Sequence, residues 1–582
     1  VRIDSFLSSI ASEALLEVSG QPAPALLKAT QDPRHGDYQV NGALPLAKAL
    51  KKNPREIAEP LAKALSAHPA IEKAEVAGPG FVNLTLAPSF VGDALSTMAR
   101  DASPGVGRLG VPLTEPRHRT VVDYSSPNIA KQMHVGHLRS TIIGHAIVET
   151  LSFLGEDVIR DNHVGDWGTQ YGILIAGLDL LAKDSADSLD LAGLEAIYKQ
   201  ASKLSKDDPA FADRARAELA KLQSGDPRNR ALWERFVAIT RKELDKVYER
   251  LGVSFDTWYG ESFYEPMLPS VVQKLEAMGL ARRDQEALCI FFGDDVWANA
   301  PEKLKKQKEP MIVQKKDGAY LYASTDIATL YHRQDVVKAT KAIYVVDHRQ
   351  ANHFEQLFAV AKQLGIRMEL THVGFGTVLG PDGKILQTRD GKTITLASLL
   401  DEAETRALDL MKQAEVDLPE SELPKVARAV GIGAVKYADL RQNRLSDYQF
   451  DWGKMIALNG NSGPYIQYAG ARAGSIFRKG EVDRASIGKS PAVLSDPAEL
   501  SLAKTLLRFP DVVHASAADL LPHYVTDHLY AVAKELSSFY ERCNVLKSEG
   551  ATRESRLTLV GTAASQIERG LSLLGIDSIE RM

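Results

Sequence analysis

Residues 119–137 read Arg119-Thr-Val-Val-Asp-Tyr-Ser-Ser-Pro-Asn-Ile-Ala-Lys-Gln-Met-His-Val-Gly-His137, and this run decides the fold. The β-branched Val121 and Val122 begin a strand, and Pro127 keeps a helix from starting too early. Downstream, Leu138, Ile142, Ile143, Ala146, Ile147, Leu151 and Leu154 recur at helical spacing up to Gly155, a residue suited to end a helix. Val158 and Ile159 then supply a second strand, so the unit reads as βαβ with a parallel sheet.

Open parallel sheets bind ligands at the carboxyl ends of their strands, which is where this turn collects its polar side chains. His134, Gly136 and His137 fall at or just before the helix N-terminus, where free N–H groups and the helix dipole favour an anion. Gly136 allows the backbone close to a flat ring, and the imidazoles can donate to phosphate oxygens. The combination suits ATP. Two histidines at this spacing also cap helices or bind metals. There is no H-E-x-x-H, however, and Cys289 and Cys543 form no C-x-x-C pair, so a structural zinc site has poor support.

His134-Val-Gly-His137 resembles the HIGH signature of class I aminoacyl-tRNA synthetases. Ser125-Ser-Pro-Asn-Ile-Ala-Lys131 ahead of it and Gly165-Asp-Trp-Gly168 behind it resemble the arginyl-tRNA synthetase family in particular. That resemblance implies a multidomain α/β protein: a Rossmann-like parallel-sheet catalytic domain with a helical insertion, an N-terminal α+β domain and a C-terminal all-α anticodon-binding domain. The expected borders are 1–112, 113–420 with the insertion at about 178–310, and 421–582.

The totals agree with several cores: 582 residues are 44% hydrophobic and 25% charged. Two cysteines exclude a disulfide framework and fit a reducing compartment, so a cytoplasmic location is expected. No apolar run approaches a membrane span, and no N-terminal apolar signal segment is seen. A formal net charge of −5 decides nothing about nucleic acid, because phosphate contacts act through local basic patches.

Residues 1 to about 110 show helical stretches at Ser5–Glu17 and Ala43–Ala67, then the alternating Gly80-Phe-Val-Asn-Leu-Thr-Leu86 strand. His35-Gly-Asp-Tyr-Gln39 and Gly78-Pro-Gly-Phe-Val-Asn83 resemble the family's N-terminal domain, which meets the corner of the tRNA. An exposed Phe81 could stack on a base while Asn83 reads its edge; the alternative is a core Phe81 and a turn donor at Asn83. Residues 101–118 read as a Pro- and Gly-rich linker, and 178–250 as helices broken at Gly225-Asp-Pro227 with a solvated basic face.

In the second half, Gly318-Ala-Tyr-Leu-Tyr-Ala-Ser-Thr-Asp326 and Asp347-His-Arg-Gln350, after the buried strand Ala342–Val346, should face the same crevice as His134 and His137. An arginine substrate needs carboxylates for its guanidinium fork and an aromatic face for its plane. By resemblance, Glu261 and Asp326 hold the guanidinium, Tyr322 packs on it, and Asn128 and Gln350 hold the backbone end of the amino acid. A lone Asp at a helix start is otherwise more often a cap.

The resemblance further implies ATP as substrate with Mg2+ as its counterion, no structural metal, L-arginine and tRNA(Arg) as partners, and a monomer. His134 and His137 become transition-state donors, with Gly136 beside them in the ATP site. The class has a KMSKS loop, but the equivalent Gly380-Pro-Asp-Gly-Lys-Ile-Leu-Gln-Thr-Arg-Asp-Gly-Lys392 lacks that string. Lys131 is the expected substitute cation, with Arg389 second and Lys384 or Lys392 behind it. From about residue 424 the chain reads as helical, including Asn443–Trp452. There Tyr465, Tyr468 and Arg472 share one helix face, and Tyr465 and Arg472 are candidates for tRNA contact.

Three competing readings remain. A HIGH-containing nucleotidyltransferase would be shorter and lack the helical C-terminal half, and a non-catalytic RNA-binding relative would have lost the His134, His137, Lys131 and Asp326 set that is present. A cysteine-specific synthetase would need zinc for thiol selection.

Overall fold

The computed structural model describes residues 2–30, 32–102, 107–181, 189–384, 386, 394–413, 416 and 418–581. Its two compact units do not follow the chain in order. One comprises Glu115–Ala403 with Gln442–Trp452; the other comprises Val1–Thr114, Glu404–Arg441 and Gly453–Met582. The border expected at 112 lies next to the change of unit at Thr114/Glu115, and the one expected at 420 falls inside the segment Glu404–Arg441.

The first of these units is built on four parallel strands: β1 (Arg119–Asp123), β2 (Asp157–Asp161), β3 (Lys341–Tyr344) and β4 (Glu369–His372). Their order is β4-β3-β1-β2, so the chain leaves β1 to one side and returns as β3 on the other. Such a reversal opens a crevice at the carboxyl ends of β1 and β3. Helix α1 (Val135–Phe153) makes the expected β1-to-β2 crossover. It lies so close to the strand that a Cβ on Gly144 would stand 2.4 Å from Tyr124 Cβ. Helix α2 (Tyr322–Asp335) is tied to the sheet by the buried Arg333, whose Nη2 donates to Asp123 Oδ2 at 2.6 Å and Asp161 Oδ2 at 2.7 Å.

The insertion consists of helices Thr169–Leu181, Leu191–Asp207, Pro209–Gln223 and Pro227–Leu251. The break foreseen at residues 225–227 is a helix start, where the Asp226 side chain accepts from Asn229 N–H ahead of Pro227. The insertion's core of Tyr171, Leu174, Leu194, Ile197, Leu222 and Phe236 also takes in Ile129 from the turn after β1. A small antiparallel sheet follows, Arg282–Asp284, Ala287–Ile290 and Met311–Gln314. Tyr448–Gln449 pairs parallel with Val378–Leu379, so the 442–452 run lies in this unit rather than in a helical C-terminal one.

In the other unit, an antiparallel sheet has the order Leu27–Ala29, Tyr38–Val40, Phe81–Leu86, Ile71–Ala77. Val82, Leu84 and Leu86 are buried while Phe81, Asn83 and Thr85 face outward, as the alternation requires. The single helix expected over Ala43–Ala67 is two, Ala43–Leu50 and Pro54–Ser66, because Lys51 turns left-handed at φ 56° and Asn53 caps a new helix at Pro54. Long helices make up much of the rest of the unit, among them Leu423–Leu440, Gly463–Lys479 and Gly550–Leu573. Two further helices of the unit, Pro497–Leu507 and Phe509–Asp519, are tied to the N-terminal residues by the ion pairs Lys504–Asp37 at 2.7 Å and Arg2–Asp511 at 2.9 Å.

Candidate active site

The turn after β1 is shaped by residues in unusual backbone conformations: Ser125, Ser126 and Ala130 have φ of 71°, 45° and 60°. Each is held in place. Ser125 N–H donates to Ser140 Oγ at 2.9 Å, Ser126 N–H to Asn162 Oδ1 at 3.1 Å, and Ala130 N–H to Thr240 Oγ1 at 3.0 Å. Strain of this kind persists only where the surroundings over-determine it, and it clusters at functional sites.

At the start of α1, His134 is the N-cap, and its Nδ1 accepts from Gly136 N–H at 3.0 Å. His137 Nδ1 accepts in turn from His134 N–H at 3.1 Å, and the two rings stand 4.0 Å apart. The pair does cap the helix. Because each Nδ1 is an acceptor, the neutral rings carry their proton on Nε2, which leaves two N–H donors at the helix N-terminus. Burial, then the neighbouring His134 and Lys131, push His137 down to about 4, and burial and Lys131 also lower His134. Both imidazoles are therefore neutral donors at pH 7.

The Gly165–Gly168 run positions a carboxylate. A Cβ on Gly165 would lie 2.1 Å from Asn128 Oδ1, and the backbone of Asn128 bridges that of Gly165. Asp166 accepts from Ser262 N–H at 2.8 Å and Ser262 Oγ–H at 2.6 Å, and Glu261 N–H donates to Val164 O at 3.2 Å. These bonds fix Glu261 beside Asp166. Burial, reinforced by the Asp166 and Asp326 carboxylates and opposed by His163, pushes Glu261 up to about 7. Asp166 is raised as well, chiefly by burial.

Asp326 is the fifth residue of α2 and not its cap; Leu321 is. Its Oδ2 pairs with His353 Nε2 at 2.6 Å, and the Tyr322 ring, 59% exposed, meets His353 edge-on at 4.8 Å. Gln350 ends a short turn after β3, where Asp347 Oδ1 accepts from Arg349 N–H. Asn128 and Lys131 line one cavity with Tyr198 of the insertion. Thus Lys131, His134 and His137 come together, and so do Glu261, Tyr322 and Asp326.

Phe81, Asn83, Tyr465 and Arg472 belong to the other compact unit. Phe81 is half-buried and Asn83 Oδ1 accepts from Gln39 Nε2 at 2.8 Å within the sheet, so neither the core nor the turn alternative describes them. Tyr465 is half-buried, and the exposed Arg472 lies over the Tyr540 ring at 4.7 Å. Lys384 is exposed at the Gly380–Gly383 turn, while Arg389 and Lys392 lie outside the described residues. Sequence reasoning missed Asp166 as the holder of Glu261, and it missed His163, His353 and Tyr198. Asp166 alone carried a signal, its place in the Gly165–Gly168 run.

Three family models match the chain: "tRNA synthetases class I (R), catalytic domain" over 107–452, "Arginyl tRNA synthetase N terminal domain" over 4–86, and "DALR anticodon binding domain" over 466–582. Relatives named arginine–tRNA ligase include that of Hahella chejuensis, 45% identical over 98% of both chains, and that of Laribacter hongkongensis, 46% identical over 98% of both. The solved arginyl-tRNA synthetase of Plasmodium falciparum superposes with a TM-score of 0.85 at 29% identity, covering 100% of this chain and 99% of that one. A neutral histidine pair capping α1 at the switch point of a parallel sheet fits this kinship, and on these matches the chain belongs to the class I arginyl-tRNA synthetase family.

Proposed function

We propose that the chain ligates L-arginine to tRNA(Arg) at the expense of ATP. The arginine carboxylate oxygen bonds the α-phosphorus and pyrophosphate leaves. A hydroxyl of the terminal ribose of tRNA then bonds the carboxyl carbon of the arginyl-adenylate, AMP leaves, and the hydroxyl proton is released. A carboxylate is already a nucleophile, so what the protein contributes is positioning and neutralisation of developing charge.

The observation that carries the arginine reading is the burial of the Glu261 carboxyl beside Asp166 and Asp326; burial first, and those two carboxylates after it, push Glu261 up to about 7. A guanidinium is a planar, permanent cation that answers such crowding with charge-assisted bonds. In this reading Glu261 and Asp326 take the guanidinium, Tyr322 covers its plane, and Asn128 and Gln350 hold the backbone end. His134 and His137 donate from Nε2 to the phosphates, Gly136 admits the nucleotide, and Lys131 neutralises the triphosphate, with Arg389 as a second cation. Mg2+ arrives with ATP as its counterion; among the described residues no cluster of three metal-ligating side chains exists to hold an ion independently.

Phe81 and Asn83 contact the corner of the tRNA and Tyr465 and Arg472 its anticodon arm, from domains spanning 1–112 and 421–582 around the catalytic 113–420. The enzyme acts as a monomer in the cytoplasm, a location suited to the two free cysteines. No described helix is long and apolar enough to cross a membrane.

The test is ATP–pyrophosphate exchange with each amino acid in turn, with and without tRNA. Exchange with arginine alone is expected. Exchange with another amino acid overturns the assignment of Glu261, Tyr322 and Asp326.

A further inference from the structure

Tyr322 and Asp326 stand one turn apart on α2, at the i and i+4 spacing that puts two side chains on one face. Both touch the same third residue, His353, in the first turn of the helix Ala351–Gln363. Its Nε2 lies 2.6 Å from Asp326 Oδ2, and its ring meets that of Tyr322 edge-on, with the planes at 67°. An ionised carboxylate only accepts hydrogen bonds, so the Nε2–H of His353 is the donor. Among the described residues Asp326 has no other hydrogen bond or ion pair, which leaves Oδ1 unengaged. The His353 side chain is 12% exposed and that of Asp326 22%, so water competes little for this bond. The imidazole is itself fixed, because the next residue, Phe354, is buried in the core and stacks on His372 of β4 at 4.5 Å.

We propose that His353 is a positioning residue for the arginine pocket: it holds Asp326 by Oδ2 so that Oδ1 is the oxygen presented to the substrate guanidinium. The inference rests on the reading of Asp326 as a guanidinium ligand. The terminal torsion of an aspartate is broad, and a carboxylate free to turn loses that freedom when a ligand binds. A donor already on one oxygen removes the motion beforehand, so the ordering cost does not fall on arginine. The bond also limits what Asp326 can offer. With Oδ2 taken, it gives the guanidinium one acceptor, and the remaining donors of the fork turn to Glu261, which lies close enough for the two carboxylates to repel each other. The same imidazole gives the exposed Tyr322 ring a fixed neighbour at its edge. Gln350, read as holding the backbone end of arginine, is the N-cap of the helix that carries His353, so one helix start serves both ends of the substrate.

The experiment measures the KM for arginine, the KM for ATP and kcat of tRNA charging for the wild-type chain, His353→Gln, His353→Phe, Asp326→Asn and the double variant Asp326→Asn with His353→Phe. His353→Gln keeps an N–H donor near the place of Nε2, whereas His353→Phe keeps a flat ring against Tyr322 and has no donor. His353→Phe is expected to raise the KM for arginine about tenfold, the low end of what a hydrogen bond to a charged group is worth, with kcat and the KM for ATP within about twofold of the wild type. His353→Gln should recover most of that loss. In the Asp326→Asn background His353→Phe should add about twofold or less, because the carboxylate it acts through is gone. If Asp326→Asn leaves the KM for arginine unchanged, the guanidinium reading fails and takes the proposal with it. If Asp326→Asn weakens arginine while His353→Phe does not, or if His353→Phe keeps the affinity that His353→Gln loses, the positioning role alone is overturned and His353 serves only as packing. A KM for ATP that rises in step with that for arginine overturns it as well, since a general disturbance of the fold would act on both substrates.

Discussion

Glu261 shows how one side chain's surroundings set its behaviour. Its carboxyl titrates near 7 because it is buried beside Asp166 and Asp326, with His163 as the opposing charge, while His353 faces Asp326. A carboxyl whose folded value is raised binds its proton more tightly folded than unfolded, so its contribution to stability is full below the unfolded value of 4.5 and is lost as pH rises through about 7. A bound guanidinium reverses the preference and favours the ionised form. Arginine binding below pH 7 must then expel this proton, and the arginine Kd is expected to rise about tenfold between pH 8 and 6. Glu261→Gln should bind arginine weakly with a flatter pH dependence across that window; a Kd as steep as that of the wild type would remove Glu261 from the pocket. Asp166→Asn loses one carboxylate beside Glu261 and disturbs the grip on Ser262, so the Glu261 transition should move downward while arginine binding loosens, readable by titrating Kd against pH. The sequence pointed to Glu261 through its family context. It could not reveal Asp166 as its holder, because their link runs through Ser262, 96 residues away, and has no local pattern.

The start of α1 combines two duties in the same side chains. His134 and His137 spend Nδ1 on backbone N–H groups that the helix leaves without intrahelical partners, and keep Nε2 for a ligand. The duties can be separated. His134→Asn retains a capping oxygen, since Asn is among the best N-caps, but its amide cannot reach as far as Nε2. The expected outcome is a melting temperature close to that of the wild type with kcat lower by about 10²- to 10³-fold. His134→Ala should lose the same rate and, in addition, about 1 kcal/mol of stability measured by denaturant unfolding. A melting temperature that falls equally in both variants would assign His134 no cap. Elements of this sort were legible wherever period and punctuation agreed: β1, α1 and β2 follow from Val121–Val122, the apolar spacing and Gly155. Legibility failed at Ala43–Ala67, where apolar spacing continued across a break made by Lys51 and the Asn53–Pro54 cap. It failed again at Tyr448–Gln449, whose only strand partner among the described residues is remote in sequence.

At the scale of the whole chain, the compact units are discontinuous, and composition gives no sign of it. The unit holding the N-terminal sheet closes through contacts spanning some 400 residues or more, such as Arg2 with Asp511, Asp37 with Lys504 and Ser96 Oγ with the Ala492 N–H at 2.9 Å. The tightest of these is marked by a glycine: a Cβ on Gly92 would stand 2.1 Å from Ala492 O, with backbone on both sides. Gly92→Val must push the helix Pro88–Arg100 off that strand of backbone, and overpacking of this kind costs about 1–3 kcal/mol. The damage can be localised, because all five tryptophans, Trp167, Trp233, Trp258, Trp297 and Trp452, belong to the other unit. Each unit has its own buried core, and a chain with more than one core need not melt in a single step. Gly92→Val should therefore lose helical circular dichroism at a lower temperature while the tryptophan fluorescence transition stays at its wild-type temperature. Were both signals to move down together, the two units would unfold as one cooperative body, and the strain introduced at Gly92 would be felt at the nucleotide fold as well.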